Sequence, residues 1–374
     1  GKVARKPSVA AAAMAHYRSD QEAARKRPKH YLEYGLLRAA MILLQMLPRG
    51  ASMWVARRLG DIAFSGLRIR RDVTLANLRE AFGDRYSAAE YEAIAHRCYR
   101  NFAMTFIEIL RFERQTVADL VARYDLVGRE HMRAAQERGK GIVYLTAHVG
   151  NWEQFGAVIR HYDADLHVIS GDQKNLFVDR LIKRLRDRVG MQQIPIGSSL
   201  KAVLRVLRHN GRVALVADQD AGRDGVFIPF YGRLASTSVG PARFAVRTGA
   251  SVVVGLDERN PDGSHRGTLY PPIVARTDAP AEEEEKRILL EYARLLEDYL
   301  RERPEEWFWM HRRWKTRPPE ETAESRGSET GRSKSNPGAT GGNAATGDEI
   351  GQGKIAGEEP RTRGSRGTTE GVKA

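Results

Sequence analysis

The segment Thr146-Ala147-His148-Val149-Gly150-Asn151-Trp152-Glu153 collects the residue types of proton transfer in one short stretch. A carboxylate bonded to one imidazole nitrogen fixes the tautomer and leaves the other nitrogen as the better base. Gly150 permits the tight turn that would bring His148 and Glu153 together. A β-branched run, Gly141 to Thr146, precedes the segment, and an apolar helical pattern follows it. His148 therefore falls at the C-terminal end of a strand, where ligands gather in open α/β sheets. The start of the next helix offers free backbone N–H groups to an oxyanion. As a bare pair, His148 and Glu153 suit a structural contact as well as a catalytic one.

Other chemistries lack their signatures. There is no G-x-S-x-G elbow, and Cys98 is the sole cysteine, set in a helical pattern with Ile94, Tyr99 and Phe102 that reads as a buried thiol. A covalent acyl-enzyme is thus unsupported. No Walker A loop is present, no G-x-G-x-x-G follows a strand, and His148 and Glu153 lack the spacing of a zinc protease. What remains is direct transfer, in which an activated hydroxyl attacks a bound acyl donor.

The positioning elements follow from periodicity. Residues 31–125 read as helix, with a capping box at Ser87 and Glu90 starting the last long segment. Beyond Tyr124, strands are expected at Gly141–Thr146, Leu166–Ser170, Val213–Ala217 and Val252–Leu256. They alternate with helices at 152–161, 175–189, 199–209 and 239–248. This alternation predicts an α/β fold with a mainly parallel sheet flanked by helices and an N-terminal helical extension. A final helix at 282–302 carries Ile288, Leu289, Tyr292, Leu295, Leu296 and Tyr299 on one stripe. The chain divides into a basic, loosely ordered arm (1–30), a helical membrane-associating region (31–125), an α/β domain (126–318) and a polar tail (319–374). The tail has almost no large apolar side chains and is expected to be disordered.

The net charge is +14, from 61 basic and 47 acidic residues. The tail from Glu321 carries eight of each sign, so the excess lies upstream of it. A basic surface fits a polyanionic partner. No RRM, KH, zinc-finger or helix-turn-helix signature points to nucleic acid, which leaves an anionic membrane or an acidic protein. The apolar run Gly35–Leu47 is interrupted by Arg38 and Gln45. It is short for a membrane span and suits an interfacial or a buried helix.

The His148–Glu153 segment resembles the H-x-x-x-x-D/E motif of glycerolipid and lipid A acyltransferases. Four further segments resemble the late lipid A acyltransferase family in the same order. They are the run from Arg70 and Arg71 through Asn77 to Phe82; Val216 to Asp220, with Asp218, Gln219 and Asp220; Phe227 to Gly232, followed by Ala235, Thr237 and Gly240; and Trp307 to Pro318. The resemblance covers roughly residues 31–318. It implies transfer of a fatty acyl chain from acyl carrier protein, or from acyl-CoA, to a hydroxyl of a lipid A precursor at the cytoplasmic face of the bacterial inner membrane, by a peripheral or singly anchored protein. A phosphatidylinositol mannoside is the alternative acceptor, and a catalytically silent basic membrane protein the alternative without chemistry. On this resemblance His148 is the general base, Glu153 orients it, and no metal or redox cofactor is required. Asp218 is a candidate to complete the polar site together with Arg243, or else it caps a turn. Thr237, with Gly232 and Gly240, matches an acceptor-binding stretch, with a turn and helix cap as the alternative. Arg312, Arg313, Lys315 and Arg317 are candidate donors to lipid phosphates, or a solvated basic run. Trp307, Trp309 and Trp314 suit a membrane interface or a core. Gly171 stands where many relatives carry an Arg, and Lys174 is the candidate replacement for that charge.

Overall fold

The computed structural model describes residues 28–171, 175–195 and 200–319. Residues 1–27 of the arm, the tail from 320 onward and Lys174 lie outside the described residues. The N-terminal part is helical: α1 (Pro28–Met46), α2 (Arg49–Asp61), α3 (Arg71–Phe82), α4 (Ala88–Leu110) and the short α5 (Val117–Val121). The capping box at α4 is present, with the Ser87 backbone N–H donating to Glu90 and the Glu90 N–H donating to the Ser87 hydroxyl.

Strands and helices then alternate. The series runs β1 (Tyr124–Val127), α6 (Arg129–Glu137), β2 (Ile142–Thr146), α7 (Trp152–Tyr162), β3 (Leu166–Ser170), α8 (Leu176–Arg188), β4 (Gln192–Pro195), α9 (Leu200–Arg208) and β5 (Arg212–Val216). A hairpin of β6 (Val226–Phe230) and β7 (Arg233–Thr237) follows, then α10 (Gly240–Thr248), β8 (Ser251–Arg259), β9 (His265–Leu269) and α11 (Ala281–Glu302). Seven strands form one sheet in the order β1-β9-β8-β2-β5-β3-β4. All its pairings are parallel except β8 with β9. This is the expected α/β architecture. The four strands read from sequence are all found. The strands β1, β4, β6, β7 and β9 were not anticipated, because each is short or mixes polar residues into the run and so gives no clear period.

The helical region and the sheet share one core. Leu75, Leu78 and Phe82 of α3 and Ile94, Cys98 and Tyr99 of α4 belong to the same buried cluster as Val143 and Leu145 of β2 and Ile288 and Leu289 of α11. The predicted α11 stripe faces inward, with Tyr299 at its partly buried edge. Cys98 is buried as expected, its Sγ donating to the Trp307 carbonyl at 2.9 Å. Burial pushes its thiol up to about 12, which keeps it protonated and unreactive.

Helix α7, which begins just after the His148 segment, lies close on the sheet because the strands beneath it carry glycines. A Cβ on Gly255 of β8 would fall 2.5 Å from the Phe155 ring, and one on Gly267 of β9 2.6 Å from it. Phe155 itself is buried. We expect Gly255→Ala to overpack this contact and lower stability by about 1–3 kcal/mol in urea unfolding.

Candidate active site

Adjacent parallel strands bring two sequence-distant segments together. In the register of β2 with β5, Thr146 lies opposite Val216. Both chains leave the sheet at this end, and His148 and Asp218 each sit two residues beyond. The Asp218 carboxylate accepts three hydrogen bonds: from the His148 backbone N–H at 2.9 Å, at His148 Nδ1 at 2.8 Å, and from Trp307 Nε1 at 2.5 Å. Burial alone would raise the pKa of Asp218, but the His148 charge, its two hydrogen bonds and the Trp307 N–H outweigh it and bring it down to about 2. An ionised carboxylate at Nδ1 assigns the proton to Nδ1 and makes Nε2 the basic nitrogen. Nε2 has no protein partner among the described residues, and the His148 side chain is 23% exposed.

Glu153 is not the group that meets His148. Its carboxylate takes a two-pronged contact from Arg186 of α8, with Nε at 2.9 Å and Nη2 at 2.5 Å, and this pair is largely buried. Glu153 lies in the first turn of α7, where a negative charge suits the helix dipole, and it ties α7 to α8. The orienting role expected of Glu153 falls geometrically to Asp218. The signal for this was available in the sequence: a polar residue directly after a strand that alternates with the His148 strand.

The C-terminal motif completes the site. Phe308 N–H donates to the His148 carbonyl and Gly150 N–H to the Glu306 carbonyl, each at 3.2 Å, making a short antiparallel contact between the two segments. His311 Nε2 accepts from the Asp220 N–H at 2.9 Å, and burial brings its pKa down to about 4, so the ring is a neutral acceptor. Asn77 Nδ2 donates to the carbonyls of Trp309 and His311 at 2.8 and 2.6 Å. The segments around Asn77, His148, Asp218 and Trp307 thus converge on one place.

The remaining candidates are placed otherwise. Arg243 pairs with Glu285 at 3.1 Å rather than with Asp218. Thr237 is buried and accepts from Arg313 Nη2 at 2.5 Å. Arg313 is only 3% exposed and also donates to the Ser236 carbonyl, so it holds β7 in place and is not open to a lipid phosphate. Arg312 and Lys315 are exposed. Trp307, Trp309 and Trp314 are all buried, which assigns them to the core and not to an interface.

Aromatic rings surround the open side of His148. Trp152 meets it edge-on at 4.8 Å between centroids, and Phe308 lies at 6.3 Å. Phe102 of α4 stacks on Phe308 at 4.3 Å and contacts Phe106, which is half exposed on the surface of α4. Glu306 lines the same crevice. Its Oε2 is buried without a partner, and burial pushes its carboxyl up to about 8, so it is protonated near neutral pH.

Beneath the His148 loop lies a buried charge network that sequence reading did not find. Asn151 N–H donates to Asp257 Oδ2 at 2.5 Å, and Asn151 Nδ2 to Glu108 Oε2 at 2.9 Å. Arg259 and Arg49 both pair with Glu108, at 2.6 and 2.9 Å, while His265 lies 2.9 Å from Asp257 and 3.5 Å from Glu108. Thr105 donates to the Gly150 carbonyl at 2.7 Å. Gly150 has φ +52°, and a Cβ there would meet Asp257 at 2.5 Å, so both the turn and the close approach require glycine. Glu108 sits in the apolar run Phe106–Leu110, and Asp257 and Arg259 end the apolar strand β8. Such interrupting charges were the available clue.

Burial alone would lower the His265 pKa, but the Asp257 and Glu108 carboxylates outweigh it and push it up to about 9, from 6.5. A raised folded-state pKa adds stability that is complete below 6.5 and is lost as pH rises through about 9. Urea unfolding of the wild type is therefore expected to lose stability across that window. His265→Gln should be less stable at pH 6.5 and lack that component of the slope. Glu108→Gln, which strands the buried Arg259 guanidinium, should cost about 3–5 kcal/mol.

The chain has relatives among characterised proteins. Residues 21–316 match the family described as bacterial lipid A biosynthesis acyltransferase. The chain is 29% identical over 153 residues to a phosphatidylinositol mannoside acyltransferase of Mycobacterium tuberculosis, covering 39% of this chain and 48% of the relative. It is 23% identical over 299 residues to the lipid A biosynthesis palmitoleoyltransferase of Escherichia coli, covering 79% and 95%. A third relative, the E. coli lipid A biosynthesis lauroyltransferase, is 27% identical over 204 residues, covering 53% and 64%. The chain spans about half the length of the mannoside acyltransferases it matches. With a family match over most of its length, the chain belongs to the bacterial lipid A biosynthesis acyltransferase family.

Proposed function

We propose that this protein is an O-acyltransferase that moves a fatty acyl chain from a thioester donor to a hydroxyl of a membrane glycolipid, with a lipid A precursor as acceptor. The observation that carries this reading is His148, fixed at Nδ1 by an ionised, buried Asp218 and open at Nε2, in a chain of this family. In the proposed step, Nε2 takes the acceptor hydroxyl proton as the oxygen attacks the thioester carbonyl. The C–O bond forms, the C–S bond breaks, and the imidazolium returns the proton to the departing thiolate. Asp218 stays ionised and stabilises the imidazolium. The thioester is a cosubstrate, supplied by acyl carrier protein or by CoA, and the reaction needs no cofactor.

The aromatic lining of the His148 crevice, Phe102 and Phe308, supports an apolar acyl chain as the group transferred. Trp152 forms its other wall. The surface supports work at a membrane. Leu32, Leu36 and Leu43 of α1 are 63–66% exposed, Met46 is 72% exposed, and Trp54 of α2 is 58% exposed. So many large apolar side chains on neighbouring helices exceed what an ordinary surface carries. Exposed Arg58, Arg68 and Arg70 lie nearby in the chain and suit anionic lipid headgroups. Among the described residues no helix is long and apolar enough to cross a membrane. We place the protein at the cytoplasmic face of the inner membrane, lying on the bilayer through α1 and α2. The similarity to mannoside acyltransferases favours a second acceptor of that class.

The deciding assay measures transfer from carrier-linked and CoA-linked acyl thioesters to a tetraacylated lipid A precursor and to a phosphatidylinositol mannoside. His148→Ala and Asp218→Asn are each expected to lower the rate roughly 10²–10⁴-fold while the proteins stay folded. Transfer to neither acceptor by the wild type would overturn the reading. For the membrane surface, Leu43→Glu with Met46→Glu should abolish flotation with anionic vesicles and leave thermal unfolding unchanged, since both side chains are exposed.

A further inference from the structure

Where α1 ends and α4 runs out, arginines crowd around an open cavity of about 390 Å³. Arg49, Arg111, Arg114 and Arg123 line it, with Gln115 and a single acid, Asp119. That acid is already engaged, its Oδ2 accepting from the Thr116 N–H and hydroxyl at 2.8 Å each. Arg49 already pairs with Glu108 at 2.9 Å. The other three guanidinium groups have no carboxylate partner among the salt bridges of the described residues.

Part of this cluster has a structural duty. Arg111 Nη1 donates to the Leu44 and Leu47 carbonyls at 2.5 and 3.0 Å, and Arg114 Nη1 to the Gln45 carbonyl at 2.6 Å, which caps the end of α1. A cation at a helix C-terminus is favourable. This does not account for the rest. Arg111 Nε is buried with no partner at all. Arg123 is exposed, donates no side-chain hydrogen bond and forms no salt bridge among the described residues. Burial and the charges of Arg114, Arg49 and Arg123 together depress the Arg111 pKa, so these like charges face one another across the cavity.

We propose that this cavity is a binding site for a phosphoryl anion, a phosphate monoester or diester, held by Arg111, Arg114 and Arg123. Planar guanidinium forks match phosphate oxygens two at a time. An anion in the cavity would relieve the mutual repulsion of these guanidinium groups. The site shares no lining residue with the His148 crevice and does not depend on acyl transfer. Two sources supply this chemistry: a phospholipid headgroup, because exposed Met46 and Leu47 adjoin the carbonyls that the arginines cap, or free phosphate.

The test uses the full chain and calorimetric titration at fixed ionic strength. One arm titrates inorganic phosphate; the other titrates dihexanoyl phosphatidylglycerol below its micellar concentration. Arg123→Glu is the main variant, because its side chain supports nothing else, and Arg114→Gln is the second. Arg49 is left intact because it belongs to the Glu108 network. The wild type is expected to bind one anion saturably, Arg123→Glu to bind at least tenfold more weakly, and Arg123→Lys to fall between them. The two Arg123 variants should have unchanged thermal unfolding without ligand. Lipid binding tenfold or more tighter than inorganic phosphate supports the site with a headgroup as its source. The opposite order supports it with free phosphate. No saturable binding in either arm, or equal binding by wild type and Arg123→Glu, overturns the proposal.

Discussion

Everything around the active centre is organised by one buried carboxylate. Asp218 receives two hydrogen bonds from His148 and one from Trp307. A buried carboxylate is costly unless its lone pairs are filled by donors. Removing any one donor would leave part of that cost uncompensated, so Asp218 constrains three separate parts of the chain at once. The end of β2 supplies the imidazole, the end of β5 supplies the acid, and the C-terminal segment closes over both through the Trp307 indole. The carboxylate is thus at once the group that sets the histidine tautomer and the group that locks the C-terminal segment onto the sheet.

The loop that carries His148 is fixed from below as firmly as from the side. Glu108 and Asp257 are opposed by Arg259, Arg49 and His265, and both carboxylates reach Asn151. Burial would raise the pKa of Glu108, yet Arg259 and His265 hold it well below the usual range, so the anion is retained. A buried ion network is rarely the most stabilising use of space. Here it positions a backbone turn at Gly150 that apolar packing has no directional means to fix. Because Glu108 belongs to α4, the helical region and the sheet meet at this loop.

The arginines of this basic chain do unlike work. Arg313 and Arg259 are buried and committed to carbonyl, hydroxyl and carboxylate partners. Arg186 is used to anchor Glu153. Arg111, Arg114 and Arg123, which have no salt bridge among the described residues, cluster where α1 ends, beside its exposed apolar face. Net charge alone does not distinguish these uses, since burial and partner geometry decide whether a guanidinium is a strut or a receptor.

The sequence determined the alternation of strands and helices, the capped start of α4, the inward stripe of α11, the burial of Cys98 and the location of His148 at a strand's end. These are local properties: period, capping chemistry and the order of elements along the chain. It also marked Asp218 and Trp307 as unusual, through ordered segments resembling one family. It did not say which acid meets His148. Glu153 is near in sequence, but the first turn of α7 carries it toward Arg186, whereas Asp218 is brought in by the register of β2 against β5. Nor did it separate the buried Arg313 from the exposed Arg312 and Lys315, because adjacent residues in an irregular segment have no period to reveal which side is covered. The pairing partners of buried charges are set by contacts between residues far apart in the chain, as with Glu108 and Arg259. Only the tertiary structure brings such pairs within hydrogen-bonding distance, and that distance decides which charges perform chemistry and which hold the fold.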